Sequence, residues 1–77
     1  MNKVIFEGKV LGAYVDGDRT IYQLCGEEVV VEVIDFKFAE VRFSIDDIVF
    51  VCGSLCSNDS HETCIKANFF SKEGVAV

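Results

Sequence analysis

Four side chains able to bind a soft metal or to do thiol chemistry fall within thirteen residues, in the order Cys52-x3-Cys56-x4-His61-x2-Cys64. Thiolates and an imidazole are the donors of a Cys3His zinc site. The spacing argues against one. Structural zinc sites commonly hold two cysteines on a tight C-x2-C turn, whereas Cys52 and Cys56 are separated by residues of strand character. Four residues of strand span roughly 13 Å, so a single tetrahedral site would need a sharp bend at Gly53-Ser54. These residues are therefore read as reduced thiols and an exposed loop histidine, with no metal or other cofactor expected. Cys56 and Cys64 fall opposite each other if the turn between them centres on Asn58 to His61, close enough for a disulfide or a two-cysteine redox pair. Cys25, beside Gly26, reads as an isolated thiol at a turn.

Catalytic constellations are not found. His61 and Cys64 on one hairpin supply neither an oriented base nor an oxyanion hole. Glu27-Glu28 and Asp46-Asp47 are adjacent pairs, whose side chains diverge in extended structure. Asp16 and Asp18 lack the oxygen-ligand series of a calcium loop. No phosphate-cradling glycine loop and no nucleophile elbow occurs. A binding module rather than an enzyme is expected.

The elements that must position these groups are strands. From Ser44 to Ser71 the chain reads as one hairpin: Asp46-Asp47, then the apolar β-favouring run Ile48 to Cys52 ending at Gly53, then the turn-forming tract Ser57 to His61. Thr63 to Phe69 alternates and closes it. Earlier, Val4-Ile5-Phe6 and Val10-Leu11 make a long first strand in which Gly8 and Gly12 mark a bulge or bend. Asp16-Gly17-Asp18 is a hairpin turn. Thr20 to Leu24 is a second strand, with Ile21 and Gln23 on one face and Tyr22 and Leu24 on the other. Val29 to Ile34 is a third, dense in β-branched residues. Between Asp35 and Asp47 neither a period of 2 nor one of 3.6 wins, and one or two helical turns or an added strand would each fit.

Seventy-seven residues without proline, linker or repeat make one domain, 1–77, with 51% apolar residues to supply its core. Seven Lys/Arg against thirteen Asp/Glu give a net charge of -6, which weakens an electrostatic claim on phosphate backbones, since the cations are scattered along the chain. No segment reaches the roughly 18–20 apolar residues of a membrane span, and no signal-peptide h-region is present. A cytoplasmic protein with reduced cysteines and no membrane partner is expected.

A glycine-bearing first strand, a hairpin, a short third strand, a connection of a dozen residues, then Asp47 to Gly53 and a closing strand with Ile65-Lys66-Ala67 resembles the oligonucleotide/oligosaccharide-binding (OB) superfamily. Asp46 stands where that pattern commonly has a turn glycine. The resemblance implies an all-β, five-stranded Greek-key barrel with at most one short helix between strands three and four; an SH3-like barrel is the alternative. It also implies a ligand face on strands two and three with flanking loops. The matching positions hold Tyr14, Arg19, Tyr22, Lys37 and Phe38 as stackers and phosphate contacts for single-stranded DNA or RNA. Phe50, outward if Val49 and Val51 point inward, would instead mark a surface for a protein partner or a homo-oligomer.

Overall fold

The computed structural model describes residues 3–72 and the short strand Val75–Ala76. Every regular element among the described residues is a strand: β1 (Lys3–Asp16), β2 (Arg19–Cys25), β3 (Val30–Asp35), β4 (Ile48–Ser57), β5 (Thr63–Lys72) and β6 (Val75–Ala76). Consequently no helix among the described residues is long and apolar enough to cross a membrane. The sheet runs β3-β2-β1-β4-β5-β6, and a parallel pairing of Glu32–Ile34 with Cys64–Lys66 joins β3 to β5 and closes the barrel. β1 serves both halves, pairing with β4 through Lys3–Lys9 and with β2 through Lys9–Asp16. Its ladder slips between Val10 and Gly12, leaving Leu11 as the extra residue of the bulge.

Turn chemistry acts where the sequence placed it. Gly17 takes φ +66° between β1 and β2, a conformation that costs glycine little. In the β4–β5 turn, Asn58 Oδ1 accepts the N–H groups of Ser60 and Glu62, both at 2.9 Å. Asp46 adopts φ +76°, so it occupies the backbone geometry that glycine holds in the resembling pattern.

β4 does not end at Gly53 but continues to Ser57. A Cβ at Gly53 would drive into the Lys66 carbonyl, so only glycine lets β4 pass this close to β5. The ladder shifts there, and Asn68 is skipped between Ala67 and Phe69.

The connection between β3 and β4 is neither helix nor strand but a series of turns. Its hold on the barrel comes from residues outside it. The Asp35 carboxylate, 2% exposed, accepts Arg42 Nη2 at 2.9 Å and the Lys37 N–H at 2.9 Å. Thr20 Oγ1 donates to the Phe38 carbonyl at 2.7 Å and accepts the Glu40 N–H at 2.8 Å. The Tyr22 hydroxyl accepts the Arg42 N–H at 3.0 Å. Arg42 lays its guanidinium on the Phe38 ring, 4.1 Å from the centroid, and its Nε meets no acceptor among the described residues. These bonds turn Phe43 into the barrel end, where its ring packs 5.5 Å from Tyr22 and 5.2 Å from Phe70. With Val10, Leu24, Val33, Val49, Val51 and Ile65 these rings make the main core.

Removing one member of a buried ion pair strands the other, at a cost of about 3–5 kcal/mol. Asp35→Ala should therefore lower unfolding free energy by about that amount, while Lys72→Ala, which breaks the more exposed bridge to Asp47, should cost far less. Urea denaturation of both variants separates the two roles, and equal effects would mean that the Asp35–Arg42 pair does not hold the connection.

Candidate functional site

Outside the barrel, the registers line up side chains in rows. Tyr14 pairs with Ile21, Ile21 with Ile34, and Ile34 with Lys66. One step along, Gln23 pairs with Glu32, Glu32 with Cys64, and Cys64 with Cys56. Buried Ile21, Ile34 and Cys64 form a small apolar cluster separate from the core. Ile21 and Ile34 of this cluster floor a groove of about 360 Å³, bounded by Tyr14, Asp16 and Arg19 at the β1–β2 turn and by Ser57–Ser60 at the β4–β5 turn. Phe36 stands at its edge, with the Arg19 guanidinium 4.6 Å and Lys66 Nζ 5.2 Å from its ring centroid. Arg19 and Lys66 are opposed by Asp16, Glu32 and Asp59 among the lining residues. The groove thus offers exposed rings, two cations and several hydrogen-bonding groups, but no positive field.

Of the residues expected on a ligand face, the structure brings two to this groove, Tyr14 and Arg19. Tyr22 has to be corrected. It is fully buried and points into the core with Phe43 and Phe70, so its ring cannot stack on a ligand. Arg19 and Tyr22 are three residues apart on one strand and must face opposite sides. Burial pushes the Tyr22 phenol above its ordinary value of 10.0, against the pull of Arg42. Lys37 lies elsewhere, its Nζ donating at 2.7 Å to the carbonyl of Asn68, the residue skipped in the β5 ladder. Phe38 is half-exposed but carries Arg42 on its face, away from the groove.

Phe36 and Lys66 belong to the groove, and the expectation missed both. Phe36 follows the outward parity of Glu32 and Ile34, a signal present in the sequence. Lys66 arrives only through the parallel β3–β5 pairing.

The zinc candidates separate. Cys52 lies on the outer face beside Ile5 and Phe69, whereas Cys56 and Cys64 touch, with Sγ atoms 2.6 Å apart. His61 sits in the turn at φ +64°. No group of three or more His, Cys, Asp or Glu side chains is arranged to hold a metal among the described residues. Phe50 points outward, 39% exposed, between buried Val49 and Val51.

No protein-family model and no curated protein matches the sequence. Solved structures do match: a chain of the S. pombe Stn1-ten1 complex superposes with a TM-score of 0.81 at 16% identity, over 94% of this chain and 58% of that one. The fold is an OB barrel. An SH3-like barrel is thereby set aside, and the groove coincides with the strand-two and strand-three face, between the β1–β2 and β4–β5 loops, on which OB barrels take ligands.

The placement of the two tyrosines has a direct optical check. A Tyr14→Phe variant retains Tyr22 as its only tyrosine, and spectrophotometric titration should show that phenol ionising above 10.0 while the protein is folded, because burial disfavours the phenolate. Ionisation at the ordinary value in the folded state would mean that the ring is solvated.

Proposed function

We propose that the protein is a non-enzymatic binding module that takes single-stranded nucleic acid in the groove over β2 and β3. The observation that carries this reading is the coincidence, on the OB ligand face, of half-exposed Tyr14 and Phe36 with Arg19 and Lys66. Bases stack on such rings whatever their sequence, at about 1–3 kcal/mol per base. Two cations against three carboxylates leave little Coulombic attraction, so affinity must come from stacking and hydrogen bonds. The β4–β5 turn supplies the polar side chains Asn58 and Ser60 for the latter.

Anisotropy of labelled single-stranded DNA and RNA tests this. Tyr14→Ala and Phe36→Ala should each weaken binding by about 5- to 150-fold, the equivalent of one lost stack. With two cations the slope of log affinity against log salt should be no steeper than about −1.4, at about −0.7 per phosphate for single strands. Absence of saturable binding at low salt would sink the proposal.

A second reading, a surface for a protein partner or a second copy, rests on a different face. Ile5, Cys52 and Phe69 form one cross-strand row over β1, β4 and β5, with Phe50 beside it. Ile5 is 78% exposed and Phe69 49%. That the matched chain comes from a complex of two proteins supports an apolar face kept for a partner. If the partner is a second copy, mass by light scattering should rise with concentration, and Phe50→Asp should return it to that of one chain. A strict monomer at high concentration would rule out self-association through this face.

A further inference from the structure

Two thiols meet beneath the groove and have no part in the binding role proposed above. Cys56 and Cys64 are direct partners in the antiparallel ladder, and their free thiols share a hydrogen bond at 2.6 Å. Directly opposed residues in such a ladder have Cα atoms about 4.5–5.5 Å apart, within the span of a disulfide. Access to the two is unequal. Cys64 is fully buried against Ile21 and Ile34, whereas Cys56 is half-buried and lines the groove. The other cysteines face no thiol: Cys25 pairs with Lys9 and Val30, and Cys52 with Ile5 and Phe69.

We propose that Cys56 and Cys64 form a reversible two-electron redox site that reacts with small-molecule disulfides and closes to a bridge between β4 and β5. The Cys56 thiolate attacks one sulfur of the small disulfide, breaking its S–S bond, forming a mixed disulfide and expelling one thiolate. The Cys64 thiol then loses its proton to solvent, its sulfur attacks Cys56 Sγ, and the second thiolate leaves. The protein gives up two electrons, and the small disulfide, taking them with two protons, becomes two thiols.

Access fixes the order of these steps, because only Cys56 can be reached from outside. The ionisable groups facing Cys64 are Cys56 from β4 and Glu32 from β3. Burial, the hydrogen bond to Cys56 and the charges of those two groups push the Cys64 thiol up to about 12. In the mixed disulfide Cys56 no longer supplies that hydrogen bond or charge, but burial and the Glu32 charge still disfavour the Cys64 thiolate, so closure quickens as pH rises. The bridge closes Ser57 to Thr63 into a covalent ring, and so fixes the wall of the groove formed by Asn58, Asp59 and Ser60. None of this chemistry depends on what the groove binds.

The test uses the folded, reduced protein, freed of reductant and incubated with oxidised glutathione, then acid-quenched, alkylated and mapped by mass. The expected product lacks the mass of two hydrogens, carries no glutathione, is bridged between Cys56 and Cys64, reverts with excess reduced glutathione and unfolds at higher urea than the reduced form. Cys64→Ser should stop at a stable glutathione adduct on Cys56. Cys56→Ser should leave Cys64 unmodified, which keeps the test decisive if the buried substitution prevents folding. A Cys25→Ser/Cys52→Ser variant should form the bridge unchanged. Retention of both thiols in the folded protein, an adduct on Cys56 that never closes at any pH, or a first bridge through Cys25 or Cys52 would each overturn the proposal.

Discussion

A carboxylate with almost no access to water, Asp35, holds the rest of the molecule in register. It ends β3, pairs with Arg42 and receives the Lys37 N–H, so the chain leaving the barrel is turned back over its open end. That anchor fixes the path by which Phe43 enters the core and completes the Tyr22–Phe43–Phe70 cluster. Burying a charge is costly unless it is paired and hydrogen-bonded. Here the cost is offset because the same few groups also satisfy the backbone of a connection with no regular structure of its own. Thr20 and Tyr22 take up N–H and C=O groups of Phe38, Glu40 and Arg42, and the core side of β2 becomes a scaffold for the seal.

That arrangement divides β2 by parity. Its even residues, Thr20, Tyr22 and Leu24, serve the core and the seal, while Arg19 and Ile21 serve the groove. The exposed residues of the groove can therefore vary with little effect on the main core, whereas Ile21 and Ile34 are held in a packed cluster of their own. The carboxylates around it have a chemical consequence of their own. Asp16, Glu32 and Asp59 would repel a ligand held mainly by its phosphates and favour one held by its bases or other planar groups. The overall charge of -6 acts in the same direction.

Features decided within a few residues were legible in the sequence. The Asp-Gly turn, the bulge near Gly12, the β run from Val30 and the Asn58 turn each follow from local chemistry, and the barrel follows from their order. The stretch from Phe36 to Asp47 was not legible, because Thr20, Tyr22 and Asp35 decide its shape and no local period reports on them. Strand parity separates Tyr22 from Arg19, so an aromatic residue on the ligand-face strand does not for that reason lie on the ligand face. Phe38 and Lys37 lie outside the groove for another reason. β3 ends at Asp35, so alternation stops before reaching them. Lys66 could be found only from the parallel pairing that brings distant parts of the chain together.

That pairing also sets when the groove comes into being. It takes Ile21 and Ile34 from the first half of the chain and Lys66 from the last strand but one, joined over only three residues of parallel ladder. Closing so distant a contact carries a large loop entropy and belongs to the slow, late part of folding. A chain still emerging during synthesis could form the β1–β2–β3 meander early, yet it would have no groove until β5 docked. If the groove is the ligand site, its competence and completion of the barrel are one event.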